Sequence, residues 1–130
     1  MIVMIKGLEA VLIGSENATK LAKFYREVVG LKQTMSFEMG EKGESGYDFD
    51  LKGAGIYILD HSKVKGKSKD PSRIMFNLEV DDIDKEVERL KKAKVKVVQD
   101  VYHVEDYGRI ATFEDVDGNY FQLVQVRELN

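Results

Sequence analysis

The chain runs through one order of elements twice, and that repetition limits its fold more than any single motif does. Leu8 to Ile13 is a short apolar, β-branched run between two glycines, which predicts a buried strand. Ser15 is placed to cap a helix in which Leu21, Phe24, Tyr25 and Val28 form one apolar stripe, with Gly30 as its stop. Strands are predicted over 32–38, 47–51 and 56–59, with a glycine-rich mobile loop over 39–46 and a tight turn at Gly53 and Gly55. The order then recurs. A strand over 74–80 precedes a helix capped by Asp81 and Asp82, with Ile83, Val87 and Leu90 on its apolar face. Strands over 95–98, 110–113 and 120–126 follow, the last two joined by Asp117-Gly118-Asn119, a turn that needs positive φ. Two βαβββ modules result, 6–62 and 73–127, with a lysine-rich linker over 63–72. An offset of 66 places Glu9 on Met75 and Leu12 on Leu78, and an offset of 64 places Phe49 on Phe113 and Ile58 on Gln122.

Composition narrows the chemistry. The 130 residues suffice for one domain, and 20 basic against 23 acidic residues give no general attraction to nucleic acid or an anionic membrane. No apolar run reaches membrane-spanning length, and no cysteine is present, which removes disulfides, thiolate catalysis and Cys-ligated metals. A cytoplasmic protein is expected. Lys63, Lys65, Lys67 and Lys69 read as a solvated loop rather than an anion site.

Three segments carry a family resemblance: "KLAKFYREVVGLK", "EVDDIDKEVERLKKAKVKV" and "TFEDVDGNYFQLVQ". With the duplicated βαβββ order, the sequence resembles the vicinal oxygen chelate superfamily over essentially its whole length. That superfamily includes glyoxalase I, extradiol dioxygenases, and fosfomycin- and bleomycin-resistance proteins. Val116 departs from the family's turn, where proline is common. The resemblance implies an α+β fold in which each module's curled mixed sheet forms an incomplete barrel around a cavity. It also implies a twofold homodimer.

In metal-dependent members, the ligand positions correspond to Glu9, Ile58, Met75 and, where glutamate is usual, Gln122. An aliphatic side chain, a thioether and a neutral amide are a poor set for a divalent cation. No metal and no cofactor are therefore expected. A reorganised metal site using Asp60, His61 or His103 is the alternative.

Strand alternation extends the candidate ligand-binding set from these positions. It comprises Glu9, Phe49, Ile58, Asp60, Met75, Asn77, Tyr120 and Gln122, with Val11 and Ile56 more suited to core packing. Phe37, Tyr47 and Phe49 could stack on a flat ligand, and Tyr102, His103 and Tyr107 fall in a segment read as a loop able to close over it. Glu9 is the best anchor for a ligand amine or hydroxyl. The function implied is a metal-independent protein that binds a small organic molecule, as bleomycin-resistance proteins do. The alternatives are a lyase or dioxygenase-type enzyme with a reorganised metal site or Glu9 as base, and a dimeric accessory module without a small ligand.

Overall fold

The computed structural model describes residues 4–39 and 42–127, which divide into two compact units between Gly66 and Lys67. The first unit holds β1 (Ala10–Ser15), α1 (Ala18–Lys23), β2 (Gln33–Met39), β3 (Glu44–Asp50) and β4 (Gly55–Asp60). Its sheet order is β1-β4-β3-β2, with β1 parallel to β4 and the other pairs antiparallel. The second holds β5 (Asn77–Glu79), α2 (Ile83–Lys92), β6 (Lys96–Val104), β7 (Gly108–Glu114) and β8 (Tyr120–Val126), in the order β5-β8-β7-β6. The architecture is α+β, two βαβββ units with open, mixed four-stranded sheets that do not close into barrels.

Each helix packs on one face of its own sheet. In the first unit Asn17, not Ser15, caps α1 by accepting from the Lys20 amide, and the Ser15 hydroxyl accepts from the Asn17 amide at 3.0 Å. The helix widens into a π turn over Phe24–Val29 and stops at Gly30, which takes the left-handed φ of 97° that a side chain would oppose. Leu21, Ala22 and Tyr25 are buried with Phe49 and Ile58 in one core. In the second unit Asp82 caps α2, and Ile83, Val87 and Leu90 are the buried stripe the spacing predicts. The exposed Asp84 of α2 binds both guanidinium nitrogens of Arg109 on β7, which tethers the helix to the sheet. That pairing holds the Asp84 carboxyl below its ordinary range and raises Arg109.

Several boundaries differ from the sequence expectation. Glu44 to Gly46 belong to β3 and pair with residues 37–39 of β2, so the expected 39–46 loop is shorter, and residues 40 and 41 lie outside the described set. Gly46 permits that pairing: a Cβ there would lie 2.5 Å from the Phe37 ring and 2.9 Å from Leu59. Of the strand expected over 74–80, only Asn77–Glu79 forms one. Tyr102 and His103 are strand residues of β6, not part of a loop.

The largest correction concerns register. The helix caps Asn17 and Asp82 stand 65 residues apart, and the parallel pairs Leu12↔Tyr57 and Asn77↔Gln122 repeat at that same spacing. Leu12 is therefore the counterpart of Asn77 rather than Leu78, and Tyr57, rather than Ile58, is the counterpart of Gln122. A slip of one residue exchanges the faces of a strand.

Candidate functional site

Contacts to the helices identify the two faces of each sheet. In the first unit, the Tyr47 hydroxyl is 2.7 Å from Thr19 of α1, and the Ala18 amide of α1 donates to Asp60 Oδ1 at 2.7 Å. Tyr47 lies opposite Ile58, and Phe49 opposite Ile56, so these four residues and Asp60 share the helix-covered face. Val11 and Ile13, paired with Ile56 and Ile58, join them. The structure thus puts Phe49, Ile58 and Asp60, expected on a ligand surface, on the helix-covered face. Phe49 and Ile58 have no exposure at all, and both Asp60 oxygens are engaged, the second by the Ser45 amide at 2.9 Å.

The face away from α1 carries the row Leu12, Tyr57, Asp48 and Met35. Glu9 joins it. It sits just before β1, where its carbonyl accepts from the Gly55 amide and its carboxylate acts on the Tyr57 phenol as a nearby hydrogen-bond acceptor. Strict alternation from Glu9 fails because Glu9 precedes the ladder. The Tyr57 phenol titrates above its ordinary value, first through that acceptor and then through burial and the surrounding carboxylates. Burial, followed by the charges of Asp50 and Glu9, pushes the Asp48 carboxyl up. Among the described residues, Asp48 Oδ1 is buried without a hydrogen-bond partner. Sequence reasoning missed Tyr57 and Asp48; the helix caps, aligned at 65 residues, were the signal that would have found them.

One titration follows. Glu9→Gln removes both the carboxylate acceptor and one like charge, so the Tyr57 phenol and the Asp48 carboxyl should both titrate lower. Alkaline difference spectra and carboxyl NMR, each with Tyr57→Phe as a control, would check this. Unchanged titration of both groups would contradict the Glu9 placement.

In the second unit, the Gln125 side chain accepts from the Ile83 amide of α2 at 2.9 Å, and Arg109 binds Asp84. Residues of the other parity face away. Asn77, Gln122, Thr112 and Gln99 form the row that matches Leu12, Tyr57, Asp48 and Met35 in the first unit. Gln122 Nε2 donates to Thr112 Oγ1 at 2.9 Å, and Asn77 Nδ2 donates to the Tyr107 hydroxyl at 3.2 Å. Tyr120, opposite Glu114, lies on the same face one pair from Gln122. Met75 precedes β5 and is partly exposed. Four of the expected residues, Glu9, Asn77, Tyr120 and Gln122, thus sit on helix-free faces.

A model of the Glyoxalase/Bleomycin resistance protein/Dioxygenase superfamily matches residues 7–123. The chain belongs to that superfamily. No curated protein sequence matches it. Solved structures show the same fold. One is TnmS3, an antibiotic binding protein from a Streptomyces species, at 23% identity and a TM-score of 0.75, covering 96% of this chain and 99% of that one. A glyoxylase/bleomycin resistance protein/dioxygenase domain from a Frankia species matches at 20% identity and a TM-score of 0.76, with 95% and 99% covered. The fosfomycin resistance protein FosX from Listeria monocytogenes matches at 19% and 0.72, with 95% and 96% covered.

The metal of the superfamily's metal-dependent members does not fit the residues found here. Ile58 is buried under α1, Met75 offers only a thioether, and the Gln122 amide is turned to Thr112. Taking Tyr57 in place of Ile58 adds a neutral phenol beside Glu9. The reorganised alternatives fare no better. Asp60 lies on the helix-covered face, the exposed His61 accepts from the Lys63 amide through Nδ1, and His103 is on β6. Among the described residues, no three of His, Cys, Asp and Glu are grouped so as to hold a metal ion. No helix among the described residues is long and apolar enough to cross a membrane.

Proposed function

We propose that this superfamily member binds a small organic molecule without a metal, on the helix-free faces of its sheets. The observation that carries the reading is the composition of those faces. Where metal-dependent relatives place ligands, this chain presents a carboxylate–phenol pair in one unit and an amide–hydroxyl pair in the other. A few fixed polar groups beside apolar side chains suit an organic ligand. Leu12 and Met35 supply the apolar part in the first unit, being 63% and 58% exposed. The antibiotic-binding and fosfomycin-resistance proteins that share the fold make antibiotics a sensible first panel.

Glu9 is the anchor in this reading, holding a ligand amine or hydroxyl together with Tyr57. Chelator-stripped protein titrated calorimetrically with bleomycin, fosfomycin and aromatic antibiotics should bind at least one of them. Glu9→Gln should weaken that binding by about 1.5–3 kcal/mol, the contribution of a charge-assisted hydrogen bond. Binding that appears only after a divalent metal is added would overturn the reading. A second reading, Glu9 as a general base, is favoured by the phenol beside it, which could relay a proton. Mass spectrometry of the bound compound after incubation separates the two, since only an enzyme returns it altered.

The same exposed residues support a homodimer. Leu12 and Met35 leave apolar surface exposed at the two edges of that sheet face, and a second copy is the simplest partner to cover it. Light scattering should return twice the 14.8 kDa of one chain, and a monomer mass at micromolar concentration would contradict this.

A further inference from the structure

The second unit's helix-free face is set up to read a neutral ligand edge rather than a charged one. Its row Asn77, Gln122, Thr112 and Gln99 contains no ionisable side chain. Two internal bonds orient it. Gln122 uses one N–H on Thr112, and Asn77 uses one N–H on Tyr107. Thr112 is buried, so its hydroxyl is a fixed point that sets the Gln122 rotamer.

A primary amide carries two donors and an acceptor, and each hydroxyl carries one donor besides its lone pairs. After the two bonds, each amide keeps its carbonyl oxygen and a second N–H. Among the described residues, no group bonds to Gln122 Oε1 or Asn77 Oδ1. The edge left over is an acceptor beside a donor, which is the complement of a carboxamide. A carboxylate would meet the carbonyl oxygen with no proton to share, and a cation would meet the N–H with no lone pair. The flanking charges do not change this balance. Glu114 pairs with Lys96 at 3.7 Å on one side, and Glu79 of β5 lies two residues from Asn77 on the other, opposite Val124.

We infer that Gln122 and Asn77, held by Thr112 and Tyr107, recognise a neutral carboxamide or similarly donor–acceptor group of the ligand. The inference rests on the small-molecule reading of this face and names the chemistry it selects.

Three probes of one shape test it: benzamide, benzoate and benzamidine. In an NMR titration of the full chain that observes side-chain NH2 groups, benzamide should move the Gln122 and Asn77 signals at least tenfold more strongly than either charged probe. Gln122→Glu keeps the shape and can accept a bond from Thr112, but has no N–H to offer. It should turn the preference toward benzamidine by a similar factor. Benzoate or benzamidine matching benzamide on the native protein would overturn the inference while leaving the small-molecule reading intact. No movement with any of the three at tens of millimolar would also overturn it. If the antibiotic panel failed as well, the broader reading would fall with it. A Gln122→Glu protein with unchanged preference would assign the selection to other residues.

Discussion

Phe49→Ala should cost about 3–5 kcal/mol of stability, the range for truncating a fully buried aromatic side chain. Phe49 has no solvent exposure and sits opposite Ile56 on the α1 side of the first sheet, where nothing can replace its ring. Against a total of about 5–15 kcal/mol for a natural domain, that loss brings the chain near unfolding at room temperature. Urea unfolding followed by circular dichroism measures it directly. The size of the effect decides which face Phe49 occupies. A side chain lining an open ligand surface would lose little stability on truncation and would change binding instead. A loss below about 1 kcal/mol would contradict the assignment of β3 in this structure, since Ile→Val already costs about that much in a core.

Asp60→Ala should be the second large loss, about 2–4 kcal/mol, because hydrogen bonds to a charged group contribute about 1.5–3 kcal/mol each and water recovers part. One Asp60 oxygen accepts from the first amide of α1 and the other from the Ser45 amide of β3. The carboxylate therefore joins a helix start to a strand. Asp60→Asn keeps one acceptor and presents an N–H to the other amide, so it should retain roughly half the contribution. Both variants should bind ligand as the native protein does, once corrected for the fraction folded. Asp60→Ala with native stability and weakened binding would return Asp60 to the ligand site.

Phe49 and Asp60 also separate what the sequence made legible, the order of the elements, from what it did not, the face a strand residue occupies. The βαβββ duplication was legible because apolar spacing and glycine stops report on secondary structure locally, and the Ile83, Val87 and Leu90 stripe is buried as its period requires. The turn at Asp117-Gly118-Asn119 was equally plain. Gly118 takes a φ of 79°, and the buried Asp115 carboxylate accepts from the Asp117 and Asn119 amides. Face assignment was not legible at that level. It depends on whether a strand is in or out by one residue, and the apolar run 8–13 has no alternation to fix it. Matching Glu9 to Met75 and Leu12 to Leu78 gives an offset of 66, whereas the caps Asn17 and Asp82 impose 65, with α1 running into a π turn and burying Ala18, Leu21 and Ala22 where α2 buries Ile83 and Val87. In the second half of each module an offset of 64 aligns Ile58 with Gln122, whereas the parallel pairs impose 65 and align Tyr57 with it. Gln122 and Asn77 lie on the helix-free face, and β8 runs over Tyr120–Val126 as its spacing predicts, with regular alternation.

The central claim is that the helix-free faces bind an organic molecule in the absence of metal. The most direct measurement is a backbone and side-chain NMR titration of chelator-stripped protein with the antibiotic panel, repeated after zinc, nickel or manganese is added. Saturable shifts are expected at Glu9, Tyr57, Asn77 and Gln122 without metal, with little change at Phe49, Ile58 and Asp60 and the same midpoint after metal is added. Shifts that appear only with metal, or that gather on the helix-covered residues, would contradict it.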